Sequence, residues 1–172
     1  MAGPNKMLVN AYGHKGHRQF MYNGTQFAYY SFDEHNYGLI PAPPTIIKTF
    51  DSLSENYDLE FPAADFFYPA LTDDLLTHSD SLHFYGIEKI GDKEYFHVIA
   101  FNPETTIQFW VNNDAYNLPA RYAITYKKQP NNPQYFASFS DWEINPRLPE
   151  AMFDFVPPPG AAKLRIQSKK EK

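Results

Sequence analysis

Residues 18–32 read Arg-Gln-Phe-Met-Tyr-Asn-Gly-Thr-Gln-Phe-Ala-Tyr-Tyr-Ser-Phe, with an aromatic run on each side of Asn23-Gly24. Asn-Gly supplies the positive φ angles that both central positions of a type I′ turn require, and aromatic residues favour strands. The stretch therefore predicts a β-hairpin with strands over 18–22 and 26–32.

Similar strand-like runs occur on both sides of this hairpin. The connections between them hold Asn, Asp, Gly and Pro and are too short for the crossovers of a parallel sheet. We therefore expect an antiparallel sheet of about eight or nine strands. The other predicted strands cover residues 7–12, 36–40, 82–90, 95–101, 105–111, 120–127, 134–143 and 163–167.

The periodicity changes after the proline-rich segment 41–44. One stripe of a predicted helix, which Pro44 suits as a start, consists of Ile46, Ile47, Phe50, Leu53 and Tyr57. Two shorter helical segments are predicted over 63–68 and from Thr72, whose hydroxyl we expect to cap the second of them.

These patterns predict an α+β fold that is mainly β. Several strands alternate apolar and polar residues, so the sheet has one apolar face that needs a cover. The central helices are too small to cover it fully, which favours either a closed barrel or an incompletely filled interior with a pocket. We expect one domain over residues 1–167 and a disordered charged tail over 168–172.

Composition excludes several classes of function. The chain has 172 residues, with 15 Lys and Arg against 20 Asp and Glu, so it lacks the basic field that nucleic acids require. The absence of cysteine excludes disulfides and thiolate metal sites. The first residues lack the apolar segment of a signal peptide, and the chain could be part of a longer precursor.

No catalytic motif is present, and the histidines do not form a convincing metal site. His14 and His17 flank a predicted turn, and His78 and His83 lie near aspartates that are typical of a solvated loop. His97 lies in an aromatic strand, where we expect a hydrogen-bonded structural role. We therefore expect no catalytic residue, no metal ion and no cofactor.

The candidate site is instead a broad aromatic-lined concavity between sheet and helices. Filling of a simple core by the same side chains is an equally good interpretation. The residues predicted to line the cavity are Phe20, Tyr22, Phe27, Tyr29, Ile46, Ile47, Phe50, Leu53, Ile107, Phe109, Tyr122, Ile124, Tyr126 and Phe139.

Two stretches resemble a bacterial family. The first is Leu39-Ile40-Pro41-Ala42-Pro43-Pro44-Thr45-Ile46. The second comprises Ile124-Thr125-Tyr126-Lys127, Pro133-Gln134-Tyr135, Ser140-Asp141-Trp142, Asn145-Pro146, Leu148-Pro149 and Phe153-x-Phe155-x-Pro157-Pro158-x-Gly160. Together they resemble the predicted exported proteins grouped as domain of unknown function 2092, and the ending also resembles the lipoprotein-carrier superfamily.

The resemblance spans residues from about 5 to 166 and implies a strongly curved antiparallel sheet. In that fold the sheet forms a half-open barrel, and helices cover its concave face as a lid over an apolar cavity. The resemblance also implies a periplasmic or otherwise exported protein. Family members carry an N-terminal helix and further strands before the segment that matches 7–12, and we expect this chain to lack them. Either the exposed sheet edge then pairs with a second copy as a homodimer, or the sequence starts within a longer protein.

Two functions follow as expectations. The first is a non-enzymatic envelope binding protein that holds an acyl chain, a lipoprotein or a similar apolar ligand in the cavity. The alternative is a protein-interaction module, such as an envelope sensor or regulator, that uses the same curved sheet.

Overall fold

The computed structural model describes residues 1–13, 16–59, 61 and 64–169. Its two α-helices are α1 (Ile46–Tyr57) and α2 (Leu71–His78), and 3₁₀ turns lie at Ala64–Phe67 and Glu150–Phe153. The strands are β1 (Met7–Gly13), β2 (Gly16–Tyr22), β3 (Gln26–Ser31), β4 (Asn36–Pro41), β5 (Ser81–Ile90), β6 (Lys93–Phe101), β7 (Thr105–Asn112), β8 (Pro119–Tyr126), β9 (Gln134–Ser138) and β10 (Ala162–Leu164).

The strands form two sheets, which corrects the expectation of a single sheet. The first sheet has the order β1-β2-β3-β4-β10 and the second the order β5-β6-β7-β8-β9, and neither closes on itself within the described residues. The chain divides accordingly into two compact units, Met1–Phe67 with Pro146–Lys172, and Tyr68–Asn145. The fold is therefore α+β and mainly β, as predicted.

The Asn23-Gly24 hairpin is present, but its turn differs from the prediction. β2 ends at Tyr22 and β3 begins at Gln26, so three residues form the loop, and Gly24 rather than Asn23 has a positive φ. The Oδ1 atom of Asn23 accepts hydrogen bonds from the backbone N–H groups of Thr25 and Gln26. Asn23 therefore closes the loop through its side chain, and a type I′ turn is wrong here.

Helix α1 begins directly after its N-cap residue, Thr45. Thr45 has an extended backbone, and its hydroxyl accepts a hydrogen bond from the N–H of Lys48, which satisfies one donor of the first turn. The predicted helix over this stripe is confirmed as α1. In α2 the cap position is Ala70 rather than Thr72, without a side-chain hydrogen bond, because the helix starts one residue before Thr72.

Both faces of the first sheet are covered within its own unit. α1 packs on one face, where Phe50 and Leu53 are buried with Tyr22 and Phe27. On the other face, Tyr30 and Tyr37 contact the ring of Phe155 at centroid distances of 5.9 and 5.3 Å. The segment after residue 146 therefore acts as the second cover of this sheet.

Two strand predictions near the C-terminus need correction. β9 ends at Ser138 rather than 143, and Asp141 adopts a positive φ of 56° that interrupts an extended chain. β10 pairs with β4 in parallel rather than antiparallel fashion. A parallel pair is possible here because a long connection, rather than a tight turn, returns the chain to β4.

At the tail, Lys169 Nζ lies 2.5 Å from Asp58 Oδ1, and residues 170–172 lie outside the described residues.

Candidate functional site

Four predicted cavity residues lie on one face of the first sheet. Phe20 and Tyr22 of β2 are the cross-strand partners of Tyr29 and Phe27 of β3. Because side chains alternate along a strand, all four project to the same side. Tyr22 and Phe27 are fully buried there, whereas Phe20 and Tyr29 are half-buried.

The predicted residues of α1 meet this same face. Ile46, Phe50 and Leu53 join Tyr22 and Phe27 in one buried cluster with Met7 and Ile40, whereas Ile47 is half-buried at the edge of the helix. The structure therefore brings most of this group together as the helix-on-sheet core of the first unit.

Phe61 completes this core, and the sequence analysis missed it. Its ring centroid lies 5.2 Å from that of Phe20, 5.9 Å from that of Phe27 and 5.0 Å from that of Phe50. Phe61 follows the end of α1 and belongs to no periodic pattern, so only the aromatic excess of the chain hints at its role.

The second group of predicted residues lies on one face of the second sheet. Phe109 of β7 pairs with Tyr122 of β8, and Ile107 pairs with Ile124. Tyr126 projects to the same face, two residues beyond Ile124. The rings of Phe109 and Tyr122 lie 5.2 Å apart, so five predicted residues form one continuous apolar surface.

This surface continues across β6 to the edge strand β5. Phe84 pairs with Val98, which pairs in turn with Phe109. The same register places Leu82 beside Ala100. We define the apolar face of the second sheet as Leu82, Phe84, Ile87, Phe96, Val98, Ala100, Ile107, Phe109, Val111, Tyr122, Ile124, Tyr126 and Tyr135.

Exposure on the apolar face varies from strand to strand. Phe109 and Tyr122 are buried, whereas Phe84 on β5 is 64% exposed and Ile87 is 57% exposed. Tyr135 on β9 is intermediate, and burial, followed by the nearby Tyr126, raises the pKa of its phenol. The face is thus most open to solvent along β5.

Phe139 is the predicted residue that lies apart from both groups. It follows the end of β9, and its ring lies 5.9 Å from that of Trp142. There it lines a different feature, a polar cleft at one end of the second sheet.

The polar cleft has a volume of about 740 Å³. It lies where the β5–β6 turn, the end of β7, the start of β8 and the segment after β9 come together. Its lining residues are Lys89, Asp92, Lys93, Glu94, Tyr95, Asn112, Asn113, Asp114, Ala120, Arg121, Ser138, Phe139, Ser140, Asp141 and Trp142.

On the face opposite the apolar face, His97 has the structural role predicted for it. Its Nδ1 lies 3.2 Å from Glu88 Oε2, and its Nε2 lies 3.1 Å from Gln108 Oε1. The same Glu88 oxygen accepts a hydrogen bond of 2.7 Å from Trp110 Nε1, and the His97 and Trp110 rings stack at 4.5 Å. Both ring nitrogens of His97 are therefore engaged within the sheet.

The remaining histidines lie in separate surroundings. His17 stacks between Tyr12 and Phe32, and His14 lies outside the described residues. His78 contacts the backbone carbonyl of Asp74 in α2 through Nδ1, at 3.0 Å. In the described part of the chain, no three His, Asp or Glu side chains form a group suited to a metal ion.

None of the helices in the described ranges has both the length and the apolar character needed to cross a membrane.

No curated protein matches this sequence. A family described as a predicted periplasmic protein matches residues 1–167, and this description confirms the periplasmic or exported location expected above. Because the match spans nearly the whole chain, the protein belongs to the family of predicted periplasmic proteins grouped as domain of unknown function 2092.

Proposed function

We propose that the protein is a non-enzymatic binding protein of the bacterial envelope that holds an acyl chain, a lipoprotein or a similar apolar ligand. The observation that carries this proposal is the apolar face of the second sheet. It extends over five paired strands, β5 to β9, and it offers exposed side chains at Leu82, Phe84 and Ile87. Exposed apolar surface of this kind is typical of ligand and partner sites.

The free energy of such binding is large enough for a carrier. Burial of each methylene group gives about 0.8 kcal/mol, so a sixteen-carbon chain would gain about 12 kcal/mol before the costs of ordering and association. Association costs about 4–15 kcal/mol, which offsets much of this gain.

At a finer level we propose the architecture of the lipoprotein-carrier superfamily, a curved half-open barrel with a helical lid. Ile46, Phe50 and Leu53 of α1 are already buried in the first unit. We therefore assign the movable part of the lid to α2, which has no buried residue and exposes Leu76.

The test is uptake of a fluorescent fatty acid by delipidated protein. We expect saturable binding that weakens in Phe84→Asn, because the substitution places an amide in the open part of the apolar face. Tyr116→Asn is the matched control, since Tyr116 is equally exposed, at 69%, but lies outside the sheets. Absence of uptake at tens of micromolar, or equal loss in both variants, would contradict the proposal.

A second candidate function is binding of a protein partner through the edge strand β5. Ten residues long, β5 pairs only with β6 among the described strands and exposes Phe84 and Tyr85. Long, apolar edge strands readily pair with another chain. Size-exclusion chromatography with light scattering tests self-pairing through this edge: a dimer that Ile87→Lys converts to a monomer would support it, and a monomeric wild type would exclude it.

A further inference from the structure

The polar cleft of the second unit mixes two kinds of hydrogen-bonding group. Lys89, Lys93 and Arg121 can only donate hydrogen bonds, whereas the carboxylates of Asp92 and Glu94 can only accept them. A hydroxyl group does both, so a ligand with many hydroxyls can match such a lining at many points. The volume of about 740 Å³ lies within the range of small-molecule sites, about 300–1,000 Å³.

Arg121 favours a ligand that carries negative charge. Its side chain is half-buried, and its guanidinium lies 5.8 Å from the centroid of the buried Tyr95 ring. Within the described residues no carboxylate forms an ion pair with it, and no acceptor takes a hydrogen bond from it. The ring holds the planar guanidinium in place while its donors remain open to a ligand.

The acidic side chains of the cleft are engaged differently. Glu94 Oε2 accepts a hydrogen bond of 3.2 Å from Asn113 Nδ2, and Asp114 Oδ1 accepts two from the backbone of its own turn. Asp141 Oδ2 accepts one from the Ser140 hydroxyl, at 3.0 Å. Carboxylates repel anions, so these side chains disfavour a doubly charged phosphate more than a singly charged carboxylate. A single carboxylate of the ligand can form a bidentate pair with the guanidinium of Arg121.

Trp142 provides a flat apolar wall beside these groups. Its Nε1 donates a hydrogen bond of 2.9 Å to the carbonyl of Pro119, and its ring contacts Phe139 at 5.9 Å. The indole is nevertheless 47% exposed. The ring is thus held in one orientation with a free surface on which a flat ligand can lie.

From these contacts we propose that the cleft binds an acidic oligosaccharide, a short sugar chain that bears a carboxylate. Arg121 holds the carboxylate, the mixed polar lining binds the sugar hydroxyls, and Trp142 packs against a sugar ring. This site is separate from the apolar face, and it stands on the second unit alone.

Isothermal titration calorimetry with a galactose trimer in which one unit is replaced by galacturonic acid, so that it bears a single carboxylate, tests the proposal, with the neutral galactose trimer as the matched ligand. We expect the acidic trimer to bind at least about tenfold more tightly, as a charge-assisted bidentate contact implies. Arg121→Gln should abolish this preference, whereas Arg147→Gln, an exposed arginine outside the cleft lining, should leave it unchanged. Equal affinity for the two trimers, or no binding at millimolar concentration, would overturn the proposal.

A second variant guards against misfolding of Arg121→Gln. Ser138 is exposed and lines the cleft, so Ser138→Tyr fills the site and leaves Arg121 in place. This variant should keep the thermal unfolding temperature of the wild type and lose affinity for the acidic trimer by about tenfold or more. Unchanged affinity in folded Ser138→Tyr would also overturn the proposal.

Discussion

The hydroxyl of Tyr22 donates a hydrogen bond to the backbone carbonyl of Pro43. The hydroxyl of Thr49 lies 3.2 Å from the same oxygen, and both side chains are buried. Pro43 lies two residues before the cap of α1, so this carbonyl links strand β2 to the start and the second turn of the helix. The contact fixes the chain at the point where sheet and helix meet.

Tyr22→Phe should lower the free energy of unfolding by about 1 kcal/mol, the usual net value of a buried hydrogen bond. The Thr49 hydroxyl has a single proton and lies closer to the Thr45 carbonyl, at 2.8 Å, than to the Pro43 carbonyl, at 3.2 Å, so we do not expect it to replace the lost bond. Urea unfolding followed by circular dichroism measures it. Tyr12→Phe, on an exposed ring, is the control and should match the wild type. Equal stability of the two variants would show that the hydrogen bond contributes nothing.

Leu53→Ala should cost about 2–5 kcal/mol of unfolding free energy, because the cavity left in a buried cluster adds to the lost burial. Leu53 is 2% exposed and packs with Phe50 and Ile40. The matched control is Leu76→Ala in α2, where the side chain is 59% exposed and the expected change is within about 0.5 kcal/mol. Thermal unfolding compares the two, and similar losses would show that α1 does not carry the core.

Most strands and α1 could be predicted because local patterns determine them. The stripe of Ile46, Phe50 and Leu53 has the helical period, and it is the stripe that the structure buries. The turn at Asn23 was predicted with the wrong type because the sequence does not show that its side chain would accept three hydrogen bonds. The split into two sheets depends on pairing between distant strands, which alternation along one strand cannot reveal.

The candidate site was predictable only in part, for the same reason. Alternation correctly grouped Phe109 with Ile107, and Tyr122 with Ile124, on shared faces. The polar cleft was missed because Arg121 and Trp142 are distant in sequence from the β5–β6 turn that they meet. Charged residues in a turn or at the strand end beside it are ordinarily solvated, so no local pattern distinguishes Lys89 or Asp92 from any other surface residue.

Gly16→Ala should destabilise the first unit by about 1–3 kcal/mol, the cost of a strained backbone position. Gly16 has a φ of +96°, and an added Cβ would lie 2.1 Å from Asp33 Oδ2. That oxygen accepts a hydrogen bond of 2.6 Å from the N–H of His17, which the substitution would also disturb. Its strand partner Gly13 gives the control, since a Cβ there meets nothing within 4 Å. Urea unfolding should separate the two variants, and equal stabilities would contradict the strain.

The exposed pair of Glu104 and Lys128 should leave a signature in pH titration. A hydrogen bond of 2.7 Å from Lys128 Nζ, together with its charge, lowers the pKa of the Glu104 carboxyl below its ordinary value. Because the folded pKa is depressed, the pair stabilises the fold above the ordinary pKa, and this contribution is lost as pH falls through the folded value.

Carbon-13 NMR of the Glu104 carboxyl measures this directly. Its titration midpoint should rise towards the ordinary value in Lys128→Gln, and also in the wild type at high salt, because an exposed pair is screened. Lys127→Gln is the neighbouring control, since the ion pair of Glu104 is with Lys128 rather than Lys127. An unchanged midpoint in Lys128→Gln would mean that the contact is too transient in solution to affect the carboxyl.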